Sequence, residues 1–289
     1  MASGKDLKRR ITSVKSTQQI TKAMKMVAAS RLRRAQDAIV QARPYAKGIQ
    51  EVVSGLCTAE GFREFHPALA KREVKRVNVV LLTSDRGLCG GFNSGLIKRA
   101  EAMYREEAKK YEKFTFTCIG KRGYEYLSNK KIPVGHYHLD FFKGLSAARA
   151  SAEADNLVAS FVSGEFDEIR IIYAEFKSAI SQIVTTQKLL PFDADELSQK
   201  QSGIADFIYE PNRERLLDEL IPRYIRTHFY KALLESLASE HGARMAAMDN
   251  ATKNAGEMIR KLTLEYNKIR QAGITKELLE IVSGAEALK

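Results

Sequence analysis

The sequence predicts an α/β protein: a central domain built on a mostly parallel sheet, bracketed by two long helices that pair as an antiparallel coiled coil. Three observations carry this. An apolar seam stepping alternately by four and three residues runs from Leu7 to Leu56. A second seam of the same spacing runs from Leu234 to Gly273. Such a 3.5-residue period is the signature of a coiled coil. Between them, over about 72–195, short β-rich runs alternate with helical stretches, which is the rhythm of βαβ units. The chain therefore divides into 1–58, 72–195 and 212–289.

The first helix is read from Leu7 through Ile11, Val14, Gln18, Thr21, Lys25, Ala28, Leu32, Ala35, Ile39, Ala42, Ala46, Ile49, Val53 and Leu56; 12 of these 15 positions are apolar. The exceptions, Gln18, Thr21 and Lys25, are consecutive. There an apolar stripe lies one place back, at Ile20, Met24 and Val27, so this stretch is expected to face a different neighbour. Pro44 removes a backbone donor and is expected to kink the helix.

In the middle, the runs 76–84, 114–120, 132–138, 168–176 and 179–191 read as strands, and 93–112, 121–130 and 146–163 as helices. The first four strands are expected to be parallel. The last two are separated only by Lys177 and Ser178, which predicts an antiparallel hairpin at one edge. Together these make a Rossmann-like domain. In the last segment nine of the twelve seam positions from Leu234 to Gly273 are apolar, with His241, Thr252 and Gly273 the exceptions. Pro211 and Asn212 suit its start; Pro222 bends the helix or begins it afresh. At ~1.5 Å per residue the two helices are roughly 80 and 110 Å long. Paired antiparallel, the second outruns the first by roughly 30 Å. A protruding amphipathic helix cannot bury its apolar side by itself and needs a socket.

Composition narrows the function. The chain of 289 residues carries a net charge of +12. Residues 1–58 hold 12 Lys+Arg against 3 Asp+Glu, so three quarters of that charge lies in the first fifth of the chain. Acidic partners are favoured: acidic protein loops, nucleic acid or anionic lipid. The aromatic-free stretch 1–44 offers nothing to stack on bases, which weighs against nucleic acid. No run of 18 apolar residues exists, so no membrane span is expected. The start, MASGKDLKRRITSVK, lacks the apolar core of a secretory signal and reads as mature sequence. Three scattered cysteines, Cys57, Cys89 and Cys118, argue against a disulfide framework or a zinc site.

Candidate chemistry is sparse. LLTSDRGLCGGFN, 81–93, is an apolar run breaking into a glycine-rich turn, as in many phosphate loops. It lacks the lysine and hydroxyl of GxxxxGK[ST], does not match GxGxxG, and no acidic residue ends the next strand to take a ribose hydroxyl. Its glycines suit a tight strand-to-helix turn. GKRG, 120–123, is likewise too short to wrap a phosphate. His136 and His138 share a strand face but lack a third metal ligand of matching spacing. Neither a catalytic constellation, a cofactor nor a metal is expected. The readings left open from the residues are a nucleotide-dependent enzyme, a basic nucleic-acid binder and a structural partner of acidic protein loops.

ITSVKSTQQITKAMKMVAASRLRRAQ (11–36), SDRGLCGGFN (84–93) and YNKIRQAGITKELLEIVSGAEAL (266–288) together resemble the γ subunit of F-type ATP synthases, in order and over the whole length. The resemblance implies a non-catalytic rotor shaft that couples ion flow through the membrane sector to ATP synthesis or hydrolysis. Its terminal helices would turn inside a ring of alternating alpha and beta subunits, with one copy per complex. Its central domain would join the epsilon subunit and the membrane c-ring, with no nucleotide site of its own. The resemblance also implies that Met24, Arg244, Gln271, Thr275 and Glu277 are coupling or ring-contact residues. Arg9, Arg10, Lys22 and Lys25 join them on charge alone. Ile274, Leu278, Leu279, Ile281 and Val282 would form the tip seated in the ring's apolar bearing. Cysteines placed at Leu32 and near Met248 to Ala255 are expected to crosslink within one chain. Residues 190–212 lack the cysteine pair of chloroplast relatives, so thiol control of that kind is not expected. A bacterial source and a peripheral position on the cytoplasmic face of the inner membrane follow as expectations.

Overall fold

A computed structural model describes residues 4–56, 68, 72–191 and 212–286. In order they form α1 (Gly4–Leu56), β1 (Arg76–Leu82), α2 (Phe92–Glu107), a 3-10 turn (Ala108–Lys110), β2 (Lys113–Ile119), α3 (Lys121–Asn129), β3 (Val134–His138), α4 (Ala147–Val162), β4 (Glu168–Phe176), β5 (Gln182–Leu190) and α5 (Arg213–Glu286). The chain forms two compact units, Met1–Ala28 with Arg244–Lys289, and Ala29–Ala243. Both long helices contribute to each.

The larger unit holds a five-stranded sheet of order β3-β2-β1-β4-β5. β1 pairs in parallel with β2 and β4, β2 with β3, and only β5 runs antiparallel, as expected of an edge hairpin. The apolar run of β1 from Val77 to Leu82, broken only at Asn78, follows from cover on both faces. Val77, Val79 and Leu81 pack with Phe116, Cys118 and the α2 residues Leu96, Ala100 and Met103. Val80 and Leu82 face the other way, toward Ala154, Leu157 and Phe161 of α4, Val53 and Leu56 of α1, and Leu217, Ile221 and Phe229 of α5. Each of the Val, Leu, Ile, Phe and Met side chains among them contributes ~1.5–3 kcal/mol on burial. Asn78 interrupts β1 at no polar loss, because its amide and the Thr117 hydroxyl exchange hydrogen bonds of 3.1 Å.

Two local expectations change. β5 begins at Gln182 rather than 179. Ser178 instead closes a turn, accepting from the Ser181 amide at 3.0 Å. Ala179 lies against α5, so close that a side chain at Gly242 would sit 3.1 Å from its Cα. α5 starts once, at Arg213, with Asn212 accepting from the Arg215 amide at 2.9 Å, and continues through Pro222. α1 likewise continues through Pro44. Pro211 and Cys57 lie outside the described residues; Cys89 and Cys118 are free and buried.

In the smaller unit, residues 4–28 of α1 lie antiparallel to α5, with Gly4 beside Tyr266 and Lys25 beside Asp249. The seam does not shift at Gln18, Thr21 and Lys25. All three stay on it, because α5 presents matching polar partners. Gln18 donates to the Thr252 carbonyl at 3.3 Å, and the Thr252 hydroxyl donates to that of Thr21 at 2.8 Å. Lys25 Nζ lies 2.6 Å from Asp249 Oδ1. Gly256 makes room for the Gln18 amide, which a Cβ would approach to 3.0 Å. The apolar residues one place back point outward instead, Ile20 at 57% and Val27 at 52% exposure. This pairing also corrects the crosslink expectation: positions 249 and 252 face Lys25, Gln18 and Thr21.

Candidate coupling surface

The glycine turn is an internal brace. Thr83, Ser84 and Asp85, which follow β1, take up the amides that open α3. Lys121 N–H donates to Asp85 Oδ1 at 3.0 Å, Arg122 N–H to the Ser84 carbonyl at 3.1 Å, and Gly123 N–H to Thr83 Oγ1 at 2.9 Å. At the start of α2, Asn93 accepts from the Ser84 amide at 2.9 Å and its side-chain amide lies 3.2 Å from Cys89 Sγ. A phosphate at the start of α3 needs such amides free, and these three are satisfied within the chain. Gly120 has φ 103°, and a Cβ on it would stand 2.0 Å from the Thr83 carbonyl oxygen. GKRG is therefore a packing turn. His138 Nε2 lies 3.0 Å from Glu153 of α4, and no cluster of three metal-ligating side chains occurs among the described residues. Burial pushes the Cys118 thiol up to about 12, far from a reactive thiolate.

The surface of the smaller unit is where exposed chemistry gathers. On α1, Arg9, Arg10 and Lys22 are exposed, and Met24 is half-buried beside the outward Ile20 and Val27. Lys25 is turned to Asp249, whose carboxyl is held below the usual carboxylate range first by Lys25 and then by Lys253. On α5, every residue from Lys268 to Ser283 is exposed. Gln271, Ile274, Thr275, Leu278, Ile281 and Val282 follow three-four spacing and share one side of the helix. Leu279 and Glu277 lie off that line. The Thr275 hydroxyl is satisfied by the Gln271 carbonyl at 2.9 Å. Arg244 is half-buried at the other end of this unit's α5 segment. The candidate residues thus form a band along two helices rather than one pocket.

Sequence reasoning placed Thr252 on the seam without a role and missed Asp249 and Gly256. A lone acid on a long helix reads as a solvated position. The available signal was the lysine within the α1 seam, which calls for an acid on the facing helix. No helix among the described residues is long and apolar enough to cross a membrane.

A two-helix coiled coil with an uncovered apolar end, on a chain whose glycine turn braces the start of α3, defines a mechanical subunit of a larger assembly. The ATP synthase family model matches residues 3–288. ATP synthase gamma chains of Geobacter metallireducens and Bdellovibrio bacteriovorus are 48% and 47% identical, each alignment covering all of both chains. The central stalk and c-ring structure of Tetrahymena thermophila mitochondrial ATP synthase contains a similar chain, at TM-score 0.62 and 29% identity over 80% of this chain and 99% of that one. A chain of the Euglena gracilis OSCP/F1/c-ring structure shares the fold at TM-score 0.68 and 20% identity, over 99% and 94%. The chain belongs to the ATP synthase gamma chain family, the non-catalytic rotor subunit of F-type ATP synthases.

Proposed function

We propose that this chain turns inside a ring of alternating alpha and beta subunits and joins the epsilon subunit and the membrane c-ring, one copy per complex, on the cytoplasmic face of a bacterial inner membrane. Residues 1–58 and 212–289 serve as the shaft and 72–195 as the domain outside the ring. The observation that carries this reading is the α5 end: Lys268 to Ser283 are uncovered, and Ile274, Leu278, Leu279, Ile281 and Val282 are each at least half exposed. An apolar surface of that extent marks a partner, and a ring bearing would cover it from all sides. Gln271, Thr275 and Glu277 would contact the ring beside this apolar set.

Further down, Arg9, Arg10 and Lys22 are the cations available to acidic loops. Lys25 joins them through its remaining exposed surface while holding register with Asp249. Met24 and Arg244, both half-buried, lie where outward contact and seam meet. Affinity purification of a tagged chain from its native membranes tests the assembly. Co-purification of ring subunits and c-ring with ATPase activity is expected. Recovery of the chain alone, or with nucleic acid, would overturn the reading.

A further inference from the structure

The larger unit contains a cavity of about 1310 Å³ that rotation does not explain. Its walls are α1 from Ile39 to Gln50, the start of α4, the end of β4 and α5 from Arg223 to Glu235. Small-molecule sites commonly occupy ~300–1,000 Å³, so a ligand of ordinary size fits with water to spare.

The lining is two-sided. Six cations, Arg43, Lys47, Lys177, Arg223, Arg226 and Lys231, face two acids, Glu175 and Glu235. Two of the six are spent: Arg226 on Asp155 and Lys177 on Glu175, both at 2.6 Å. Lys47 and Arg223 make only loose pairs of 3.6 Å with Glu51 and Glu219 on their own helices. Arg43 makes no ion pair with any described residue. Between the cations the surface is apolar and aromatic, with Ile39, Tyr45, Phe176, Tyr230 and Leu234.

Glu235 also lines this space. It is 9% exposed, its Oε2 has no hydrogen-bond partner among the described residues, and Lys231 lies 3.8 Å from Oε1. Burial raises its pKa, against the pull of Lys231 and Arg43. Burial also lowers His228 to about 4, so that imidazole is neutral at physiological pH. The cavity therefore combines one cation without an ion pair among the described residues, Arg43, and three loosely paired ones with an apolar lining and a buried carboxyl whose Oε2 has no partner among the described residues.

We propose that this cavity binds an organic anion with a flat apolar body, its acidic group held by Arg43 and Lys231 and its body against Tyr45, Phe176 and Leu234. Phosphate or carboxylate could supply the acidic group, since both accept from paired cations. The test is a fluorescence titration of the full chain with 1-anilinonaphthalene-8-sulfonate, an aromatic sulfonate. A saturable one-to-one site is expected. Arg43→Gln, which removes an exposed cation, should weaken it about tenfold. Ser151→Trp, which fills the space without changing charge, should weaken it at least as much. The double variant Leu278→Ser/Leu279→Ser, on the α5 end, should leave it unchanged. Displacement of the dye by ADP would assign a phosphate ligand, and displacement by octanoate a carboxylate. Wild-type affinity in Arg43→Gln, or in folded Ser151→Trp, would overturn the proposal, as would loss of the dye site in the α5 double variant.

Discussion

Asp167 fixes where two strands begin. Its Oδ2 accepts from the Lys75 and Arg76 amides at 3.1 and 2.9 Å and from Arg76 Nε at 3.2 Å, while Oδ1 accepts from Arg76 Nη2 at 2.9 Å. Burial alone would push its pKa up; the Arg76 side chain and the two amides outweigh that and hold it below the usual carboxylate range. A depressed folded pKa contributes stability above the unfolded value of about 3.9, and that stability is lost as pH falls through the folded value. Asp167→Asn should therefore cost about 2 kcal/mol at pH 7, and progressively less as pH falls below the unfolded value and through the folded one, as read by urea unfolding across that range. Gly120→Ala meets both a positive φ and the Thr83 carbonyl. It should lower stability by about 3 kcal/mol or more, seen as a fall in thermal midpoint. Met24 gives the functional counterpart. Half-buried between the seam and the outward stripe, it should tolerate Leu. A lysine there should over-tighten contact with acidic loops, so reconstituted Met24→Lys enzyme is expected to hydrolyse ATP while pumping poorly. Normal pumping per ATP would remove Met24 from the coupling surface.

At the scale of elements, register is the informative quantity. Thr21 and Thr252 bring their hydroxyls to 2.8 Å, so a Thr21→Cys/Thr252→Cys double variant should close an intrachain disulfide on mild oxidation. Non-reducing electrophoresis checks this, and a product formed only between chains would contradict the pairing. The elements themselves were legible: the 3.5-residue period announces both long helices, and the short apolar runs place the five strands within a few residues. What was not legible is what depends on matching distant residues. Gln18, Thr21 and Lys25 look like a break in the seam because their partners, Thr252 and Asp249, lie more than 220 positions away. The start of β5 was misplaced for a similar reason, since Ala179 is drawn to Gly242 on another element. The same holds for the SDRGLCGGFN turn. Its glycines suggested architecture, but the bracing roles of Ser84, Asp85 and Asn93 need the α3 amides in view.

For the whole molecule, the α5 end and the seam make opposite demands. The seam residues Leu7, Ala28, Met248 and Ala255 are buried, whereas Lys268 to Ser283 have no cover. Amide exchange of the isolated chain should be fast over 268–283 and slow over 244–260, and assembly should slow the first segment by at least tenfold. Deleting 274–289 should weaken assembly and slow turnover without abolishing ATP hydrolysis, since no catalytic group is lost. Loss of all activity in a fully assembled truncated complex would contradict a bearing role.

The pairing also sets a schedule for the newborn chain. α1 leaves the ribosome first, yet Thr21 and Lys25 meet partners 231 and 224 residues later. At ~5–20 residues per second that is a wait of roughly 10–50 seconds. An unpaired helix with a purely apolar 3.5-residue stripe would meanwhile seek another copy of itself on a neighbouring nascent chain. Gln18, Thr21 and Lys25 weaken that self-pairing, because they leave polar groups on the stripe and a twin helix would bring mostly cations, whereas α5 supplies Asp249 and Thr252. The residues that weaken the stripe locally thus disfavour self-pairing of the first-made helix over the interval before its proper partner is synthesised.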